Sequence, residues 1–421
     1  MSKFIILFIV LGIFAGCELQ EPPIPPGPCI SCPGKDTFKL DPSLNWQVSI
    51  HPDSASDFIE SGMVISQGKL IYISEFYLPV RPIVCRNIAD GKELWRWIDP
   101  DGRLAGGGGR NNTGLRENLW VTTEAHNIIL MNLESGLLHK KINIGQDNAG
   151  SPRSRINGNC LYHTFTSYQN GADEYMVRIN LDQLTQWDTV FKATKEDKFE
   201  PFLEPPSLWI NPQLDSCLVF SLGFYNFSNH QARERFIVYN LKKDELEWTI
   251  EDYVDEGQCS TNPILIHENK AYVQGQRSFH CIDLLQKKEI WKRNFYNNGY
   301  NLSFSICNAI IAEGMLITKS EQEDIRALDL LTGQTIWENL NTGGASPYNM
   351  EYFKGRIYFA GSSKIWGIRA SDGHTDWVYS SPNEKINSNA GFISGGIVID
   401  KENEAIISND SYFIMSIKLP K

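Results

Sequence analysis

Most of what marks an enzyme, a nucleic-acid binder or a membrane-spanning protein is missing from this sequence. Positive charge is short: 39 lysines and arginines face 50 aspartates and glutamates. The resulting net charge of −11 excludes nucleic acid or an anionic lipid surface as the main partner, because both need basic patches. The apolar run near the start, Phe4 to Phe14, has about eleven residues, against about twenty for a helix that crosses a bilayer. His51, His126, His139, His163, His230, His267, His280 and His374 show no metal-ligand spacing, and each reads as a surface or satisfied core residue. There is no Gly-x-Ser-x-Gly and no Walker loop. The four glycines Gly106 to Gly109 join two β segments rather than a strand to a helix, so they read as a flexible connection. No stretch has a helical period. No catalytic residue, no metal and no cofactor is expected.

The first seventeen residues have the parts of an export signal. Lys3 is positive, Phe4 to Phe14 are apolar, and Ala15-Gly16 are small residues ahead of Cys17. Phe14-Ala15-Gly16-Cys17 resembles the bacterial lipobox, with Phe14 where Leu is commoner. The resemblance implies cleavage before Cys17 and lipid on its thiol. Residues 18–36 hold Pro22, Pro23, Pro25, Pro26, Pro28 and Pro33 and no apolar periodicity, which is a polyproline II tether. Glu18 stands where an Asp would resemble the inner-membrane retention signal, so the expectation is an outer-membrane anchor facing the periplasm or the cell surface. The division is thus 1–16 signal peptide, 17–42 lipidated tether and 43–421 folded domain.

About 385 residues remain, too many for one ordinary core, so a closed repeat or several domains is expected. Cys29-Ile30-Ser31-Cys32 lies in the tether and lacks the His of a haem-attachment motif. It reads as a local disulfide or two idle thiols. Cys160, Cys217, Cys259, Cys281 and Cys307 sit in or beside apolar strand segments, where buried thiols are common.

A unit repeats: an alternating strand, a polar turn often ending in Gly, and a second strand carrying Trp. It reads Ile88-Ala89-Asp90-Gly91-Lys92-Glu93-Leu94-Trp95. It returns as Asp329-Leu330-Leu331-Thr332-Gly333-Gln334-Thr335-Ile336-Trp337 and as Ala370-Ser371-Asp372-Gly373-His374-Thr375-Asp376-Trp377. Weaker copies end at Trp248 and Trp291. Asn132 to Lys140 has no Trp, and in Asn180 to Trp187 the Trp is one residue out of step. The spacing of roughly 40–60 residues is that of a four-stranded propeller blade.

The final segment offers only three strands, near 395–400, 405–409 and 412–419. The missing fourth is Asn45-Trp46-Gln47-Val48-Ser49-Ile50. Pairing the two ends would close the ring and remove its open edges. Anchors near 46, 95, 140, 187, 248, 291, 337 and 377 give the expectation of an all-β, eight-bladed propeller, with seven blades as the alternative. Trp46, Trp95, Trp248, Trp291, Trp337 and Trp377 read as structural anchors between blades rather than as binding platforms.

The pattern of Asp or Ala, then Thr-Gly or Asp-Gly, then Trp four residues after the Gly resembles the pyrroloquinoline-quinone (PQQ) repeat. That resemblance implies an eight-bladed, quinoprotein-like propeller. One branch of the family binds PQQ and calcium as dehydrogenases. The other is cofactor-free and includes the propeller lipoprotein of the outer-membrane β-barrel assembly machinery, a protein-binding scaffold. The dehydrogenase branch carries adjacent cysteines, and no two cysteines here are neighbours. The expectation is therefore a non-enzyme.

In a four-stranded blade the 1–2 and 3–4 turns share one face, and these are short. The opposite face collects the long segments 76–81, 99–112, 167–174, 192–206, 223–233 and 296–303. They hold Phe76, Tyr77, Tyr168, Phe224, Tyr225, Phe227, Tyr296 and Tyr300, and aromatics among Asn, Gly and Arg are typical of recognition surfaces. That face is the expected docking surface of a monomeric propeller, for a protein partner or an extracellular polymer, with membrane contact through the lipid alone. Cys17→Ala should move the protein from the membrane to the soluble fraction or leave it unprocessed. Fractionation of cells carrying the variant checks this, and unchanged retention refutes the lipid anchor.

Overall fold

The computed structural model describes residues 41–50, 59, 63–74, 81–100, 113–124, 127–144, 153–167, 173–184, 187–251, 263–275, 277–297, 300–301, 308–320, 324–340, 342, 349–361, 363–385, 388, 390–392 and 396–420. They fall in one compact unit, Leu40–Lys421. The segment Met1–Lys39, with Cys17 and nearly all of the tether, lies outside the described residues. Among the described residues there is no helix, and so none long and apolar enough to cross a membrane.

Eight antiparallel sheets follow one another along the chain. The first blade is Val64–Ser66, Lys69–Ile73, Ile83–Asn87 and Glu93–Trp97. The second is Thr113–Arg116, Leu119–Glu124, Asn127–Asn132 and Leu138–Asn143, and the third Arg153–Asn157, Cys160–Ser167, Asp173–Asn180 and Trp187–Ala193. In the fourth the first strand is interrupted at Pro205-Pro206. Glu200–Leu203 and Ser207–Ile210 both pair with Ser216–Asn226, followed by Gln231–Asn240 and Glu245–Ile250. Blade five is Leu265–His267, Lys270–Gln274, Ser278–Asp283 and Lys288–Asn294. Blade six is Ile310–Ala312, Met315–Lys319, Ile325–Asp329 and Thr335–Asn339, and blade seven Glu351–Phe353, Arg356–Gly361, Lys364–Arg369 and Thr375–Ser380. First strands of consecutive blades touch one another, which sets them round the axis and leaves the fourth strands at the rim.

The eighth blade closes the ring as the sequence predicts. Ile397–Asp400, Ala405–Asn409 and Phe413–Lys418 are completed by Leu44–Ser49. Trp46 lies opposite Ser416, Gln47 opposite Met415 and Val48 opposite Ile414. Backbone bonds from Lys418 N–H to Ser43 O (2.8 Å) and from Ile50 N–H to Tyr412 O (3.0 Å) extend the pairing at both ends.

The core is layered between blades. Strands two and three of each blade are nearly all buried, and eight apolar clusters form, one at each junction. The alternation of Val, Ile, Leu and aromatic residues along those strands feeds both faces of each sheet.

A directional contact fixes the register of these layers. The 3–4 turn starts with an Asx turn, as where the Asp329 carboxylate accepts the N–H groups of Leu331 and Thr332. It ends on a glycine in the left-handed region: Gly91 (φ 72°), Gly136 (67°), Gly333 (66°) or Gly373 (74°). On each of these glycines lies the indole of the preceding blade: Trp46 on Gly91, Trp95 on Gly136, Trp291 on Gly333, Trp337 on Gly373. Each indole N–H donates to a carbonyl three residues before the glycine, Ile88 (2.7 Å), Leu133 (3.1 Å), Leu330 (3.1 Å) and Ala370 (2.8 Å). A bulge one residue before the Trp recurs in these outer strands and aims the ring at the neighbour.

The other four junctions depart from this. At the blade four/five junction the turn position is Lys287 (φ 55°) in place of glycine, and the buried Trp248 indole N–H has no partner among the described residues, while Trp209 Nε1 donates to Asn269 Oδ1 (3.0 Å) across the same junction. Trp377 has no 3–4 turn to meet, because the eighth blade takes its fourth strand from the other terminus. It stacks on Tyr379 (5.5 Å), whose hydroxyl bonds to Ser43 (2.8 Å). Trp187 is 44% exposed and stands one residue before the anchor register, which Asp188 occupies opposite Arg178. Phe191 makes that junction instead, edge-on to Phe220 and Tyr239. At the fourth, Lys140 holds the anchor register.

Gly91→Ala should destabilise by roughly 1–2 kcal/mol for the left-handed backbone and a further ~1–3 kcal/mol for overpacking, since the new Cβ would lie 2.6 Å from the Trp46 ring. Gly68→Ala, at φ 70° with open space around it, should show only the backbone part. Urea midpoints of the two variants check this, and equal losses would refute the lock.

Candidate partner-binding face

On the face opposite the short turns, the fourth blade outgrows its neighbours. Its second and third strands run 11 and 10 residues, Ser216–Asn226 and Gln231–Asn240, paired without a register break from Cys217↔Asn240 to Asn226↔Gln231. The segment expected as a loop over 223–233 is therefore a β-hairpin with a tip of only 227–230. Asn226 builds that tip: its side-chain oxygen accepts the Ser228 N–H (2.9 Å), its carbonyl accepts the His230 N–H (2.9 Å), and His230 takes φ 58°. Strand continuation overrides the loop-like composition because each added pair satisfies backbone groups that a loop would leave to water.

Period-two alternation then sorts the aromatics. Phe227 is 58% exposed at the tip, and Tyr225 meets it edge-on at 4.8 Å. The Tyr225 hydroxyl bonds to His230 Nδ1 (2.8 Å). Phe202, half-buried on the first strand, adds a third ring 6.3 Å from Phe227. Phe224 points the other way. It is only 2% exposed in the core between blades three and four, with the Arg235 guanidinium 4.7 Å above its ring. It was expected on the docking face, and the structure corrects that assignment: an even position on this strand faces the apolar layer.

The hairpin is braced at its base. Arg235 makes a two-pronged ion pair with Glu196 (2.7 and 3.0 Å) and contacts Glu251. Arg233 lies over the Phe199 ring at 4.0 Å. Phe202 was not singled out from sequence, although Glu200-Pro201-Phe202-Leu203 alternates and could have flagged it. Phe76, Tyr77 and Tyr168 lie outside the described residues, as do the side chains of Tyr296 and Tyr300, whose backbones form a two-residue ladder.

Beneath the hairpin, three carboxylates are buried where the third blade meets the fourth: Glu174, Glu204 and Glu234, at 4%, 3% and 1% exposure. The Arg153 guanidinium pairs with one oxygen of Glu204, and the other has no hydrogen-bond partner. Thr166 donates to Glu174. Burial pushes Glu204 up to about 8, with Glu234 and Glu174 adding to the rise and Arg153 opposing it. Burial likewise pushes Glu174 up to about 7, against the Thr166 hydrogen bond and Arg153.

Among the described residues no three His, Cys, Asp or Glu side chains are placed to hold a metal ion. Cys85, Cys160, Cys217 and Cys281 are free thiols in four separate strands. Burial pushes Cys85, Cys217 and Cys281 up to about 12, which makes them inert. Cys259 and Cys307 lie outside the described residues.

Residues 226–419 match the family described as Outer membrane protein assembly factor BamB. No curated protein matches the chain in sequence. The fold is similar to BamB from Moraxella catarrhalis, at 10% identity and TM-score 0.56 over 87% of this chain and 99% of that one. It is similar to the quinohemoprotein alcohol dehydrogenase from Comamonas testosteroni, at 9% identity and TM-score 0.61 over 90% and 77%. Saccharomyces cerevisiae Sqt1 gives 7% identity and TM-score 0.59 over 91% and 100%. The domain is thus an eight-bladed propeller of PQQ-like repeats, and at these identities the likeness is one of fold alone.

The carboxylate cluster sets a pH dependence. Both folded pKa values lie above the ordinary 4.5, so the neutral forms are favoured in the fold. Their contribution to stability is whole below about 4.5 and is lost as pH rises through about 7 and 8. Glu204→Gln should lose less stability than the parent on going from pH 5 to pH 9, because it removes the carboxyl that burial keeps neutral. Urea midpoints at the two pH values check this, and parallel losses would refute it.

Proposed function

We propose that the chain is a non-catalytic propeller scaffold, held at an outer membrane by lipid on Cys17, that docks a protein partner on the face carrying the blade-four hairpin. The observation that carries this reading is the ring cluster in which exposed Phe227 stands on half-buried Tyr225 and Phe202. It stands on strands that outrun the sheet and is held rigid by Arg235–Glu196 and Arg233–Phe199. Exposed aromatics fixed before contact give contact area at little entropic cost, which is the property of interface hot spots. The three buried carboxylates near this face, Glu174, Glu204 and Glu234, lie beneath the hairpin rather than in an open cleft, which suits a scaffold better than an enzyme. The match to a family described as an outer membrane assembly factor supports both the scaffold role and the location. A single monomeric ring suffices for the role.

A surface lipoprotein that binds a glycan or another extracellular polymer is the second reading, favoured by the same rings, since sugar faces stack on Tyr and Phe. A PQQ-dependent dehydrogenase is the third, favoured only by the shared fold. Tyr225→Ala/Phe227→Ala in the full chain should lower partner recovery from solubilised membranes by about tenfold while leaving the thermal midpoint within a few degrees. Phe224 is left intact because its loss would open the core. Unchanged recovery would refute the hairpin face. A bound polysaccharide in place of protein would favour the second reading, and a new absorbance band on adding PQQ and calcium would favour the third.

A further inference from the structure

The chain enters the propeller on the face of the short turns. Leu44–Ser49 is the fourth strand of the eighth blade and begins at its turn end. There the Lys418 N–H donates to Ser43 O (2.8 Å), the Lys418 ammonium donates to Pro42 O (2.8 Å), and the Leu419 N–H donates to Glu404 O (3.0 Å) in the 1–2 turn of the same blade. The segment that precedes Asp41 therefore joins the domain on that face. At ~3.1 Å per residue a tether over residues 18–40 reaches about 70 Å, so the point of entry alone lets either face meet a bilayer.

The side chains break that tie. Among the described residues the three most exposed large apolar side chains all stand on short turns. They are Leu214 (82%) in the 1–2 turn of blade four, and Leu137 (69%) and Leu331 (63%) in the 3–4 turns of blades two and six. Leu285 is exposed in the 3–4 turn of blade five, and Ile290 and Ile336 are exposed at the turn ends of the fourth strands of blades five and six. None of these side chains belongs to an interblade apolar cluster. Leu214 also takes φ 63°, a left-handed backbone that costs a bulky residue and that glycine would adopt freely. Neither packing nor backbone accounts for a leucine at that tip.

We propose that the short-turn face rests on a membrane of zwitterionic phospholipid, with these leucines in its headgroup layer and the blade-four hairpin turned away from it. The orientation rests on the lipid anchor of the proposed function. Three features choose a bilayer over a protein. The apolar tips stand on separate turns of blades two, four, five and six, whereas a protein interface gathers its apolar residues into one core depleted of charge. The exposed charges on the same turns have both signs, Glu268, Glu313 and Asp372 against Lys242, Lys287 and Lys354, which suits zwitterionic headgroups and no surface of one sign. A fluid interface takes each tip separately. The tether holds the domain at high effective concentration beside it, so a few shallow contacts suffice.

The test places the photo-crosslinker p-benzoylphenylalanine at Leu214, Leu331 or Phe227 of the full chain, made with its export signal in a bacterial host and reconstituted in phosphatidylcholine vesicles. Irradiation should give at least about tenfold more lipid adduct at Leu214 and at Leu331 than at Phe227, which stands on the opposite face. Leu214→Gly/Leu331→Asp relieves the backbone and removes two tips. It should lower the adduct from a crosslinker at Leu137 at least about threefold with no loss of thermal midpoint. The orientation alone is overturned if the protein floats with the vesicles but gives no lipid adduct, equal adducts from both faces, crosslinked dimers in place of lipid, or an unchanged Leu137 adduct in the double variant. A protein that does not float with the vesicles overturns the anchor, and the orientation with it.

Discussion

An indole seated on a left-handed glycine of the next blade is the contact on which the ring depends. Apolar layers between sheets are strong but undirected, and two greasy sheets can slide past one another at little loss. The indole supplies what the layers lack. Its ring fits only where no Cβ stands, and its N–H has one carbonyl to meet, so each lock fixes both the spacing and the rotation of a pair of blades. The lock between Trp46 and Gly91 matters most, because it joins the two ends of the chain. The terminal strand that carries Trp46 completes the eighth sheet and anchors the first in one move.

This dependence explains which parts of the molecule could be read from sequence and which could not. The number of blades and the closure were legible, since Asx residue, glycine and tryptophan recur at fixed short spacing and each has a local physical reason to be there. The limits of the blade-four hairpin were not. Gly223, Asn226, Ser228 and Asn229 give the segment a loop's composition, and only pairing with a distant strand reveals that the ladder continues to Asn226. A loop reading of the segment discards its alternation and so groups Phe224 with Tyr225 and Phe227, although Phe224 faces the opposite side. Trp187 illustrates the converse. Its one-residue offset is legible in the sequence, and the structure shows that the offset turns a buried anchor into an exposed ring. The buried carboxylates left no local trace, because Glu174, Glu204 and Glu234 come together only through the stacking of two blades.

Likeness across a barrel-assembly protein, an alcohol dehydrogenase and a yeast protein, all at 10% identity or below, follows from the same physics. What specifies the ring is concentrated in the short-turn side and in the interblade layers. The other face is nearly free of that duty, so its connections can lengthen and change chemistry without disturbing closure. Function in such a fold is therefore argued from the side chains on that face and from places where a lock is missing.

The junction between blades three and four shows how the two demands meet. It has no indole and no glycine, with Asp188 in the anchor register and Asp244 in the turn position. Buried carboxylates there cost stability that a hydrophobic replacement would not. What offsets them is the length of the hairpin itself: Phe220, Leu222 and Phe224 along one strand pack with Met176, Val190 and Phe191 from the third blade, a larger apolar cluster than most junctions have. The longest strands thus stand beside a junction that lacks the regular contact, and past the sheet they carry Phe227 into solvent on half-buried Tyr225. The exposed tip and the missing lock meet in the same blade, the one with the largest apolar layer on its flank.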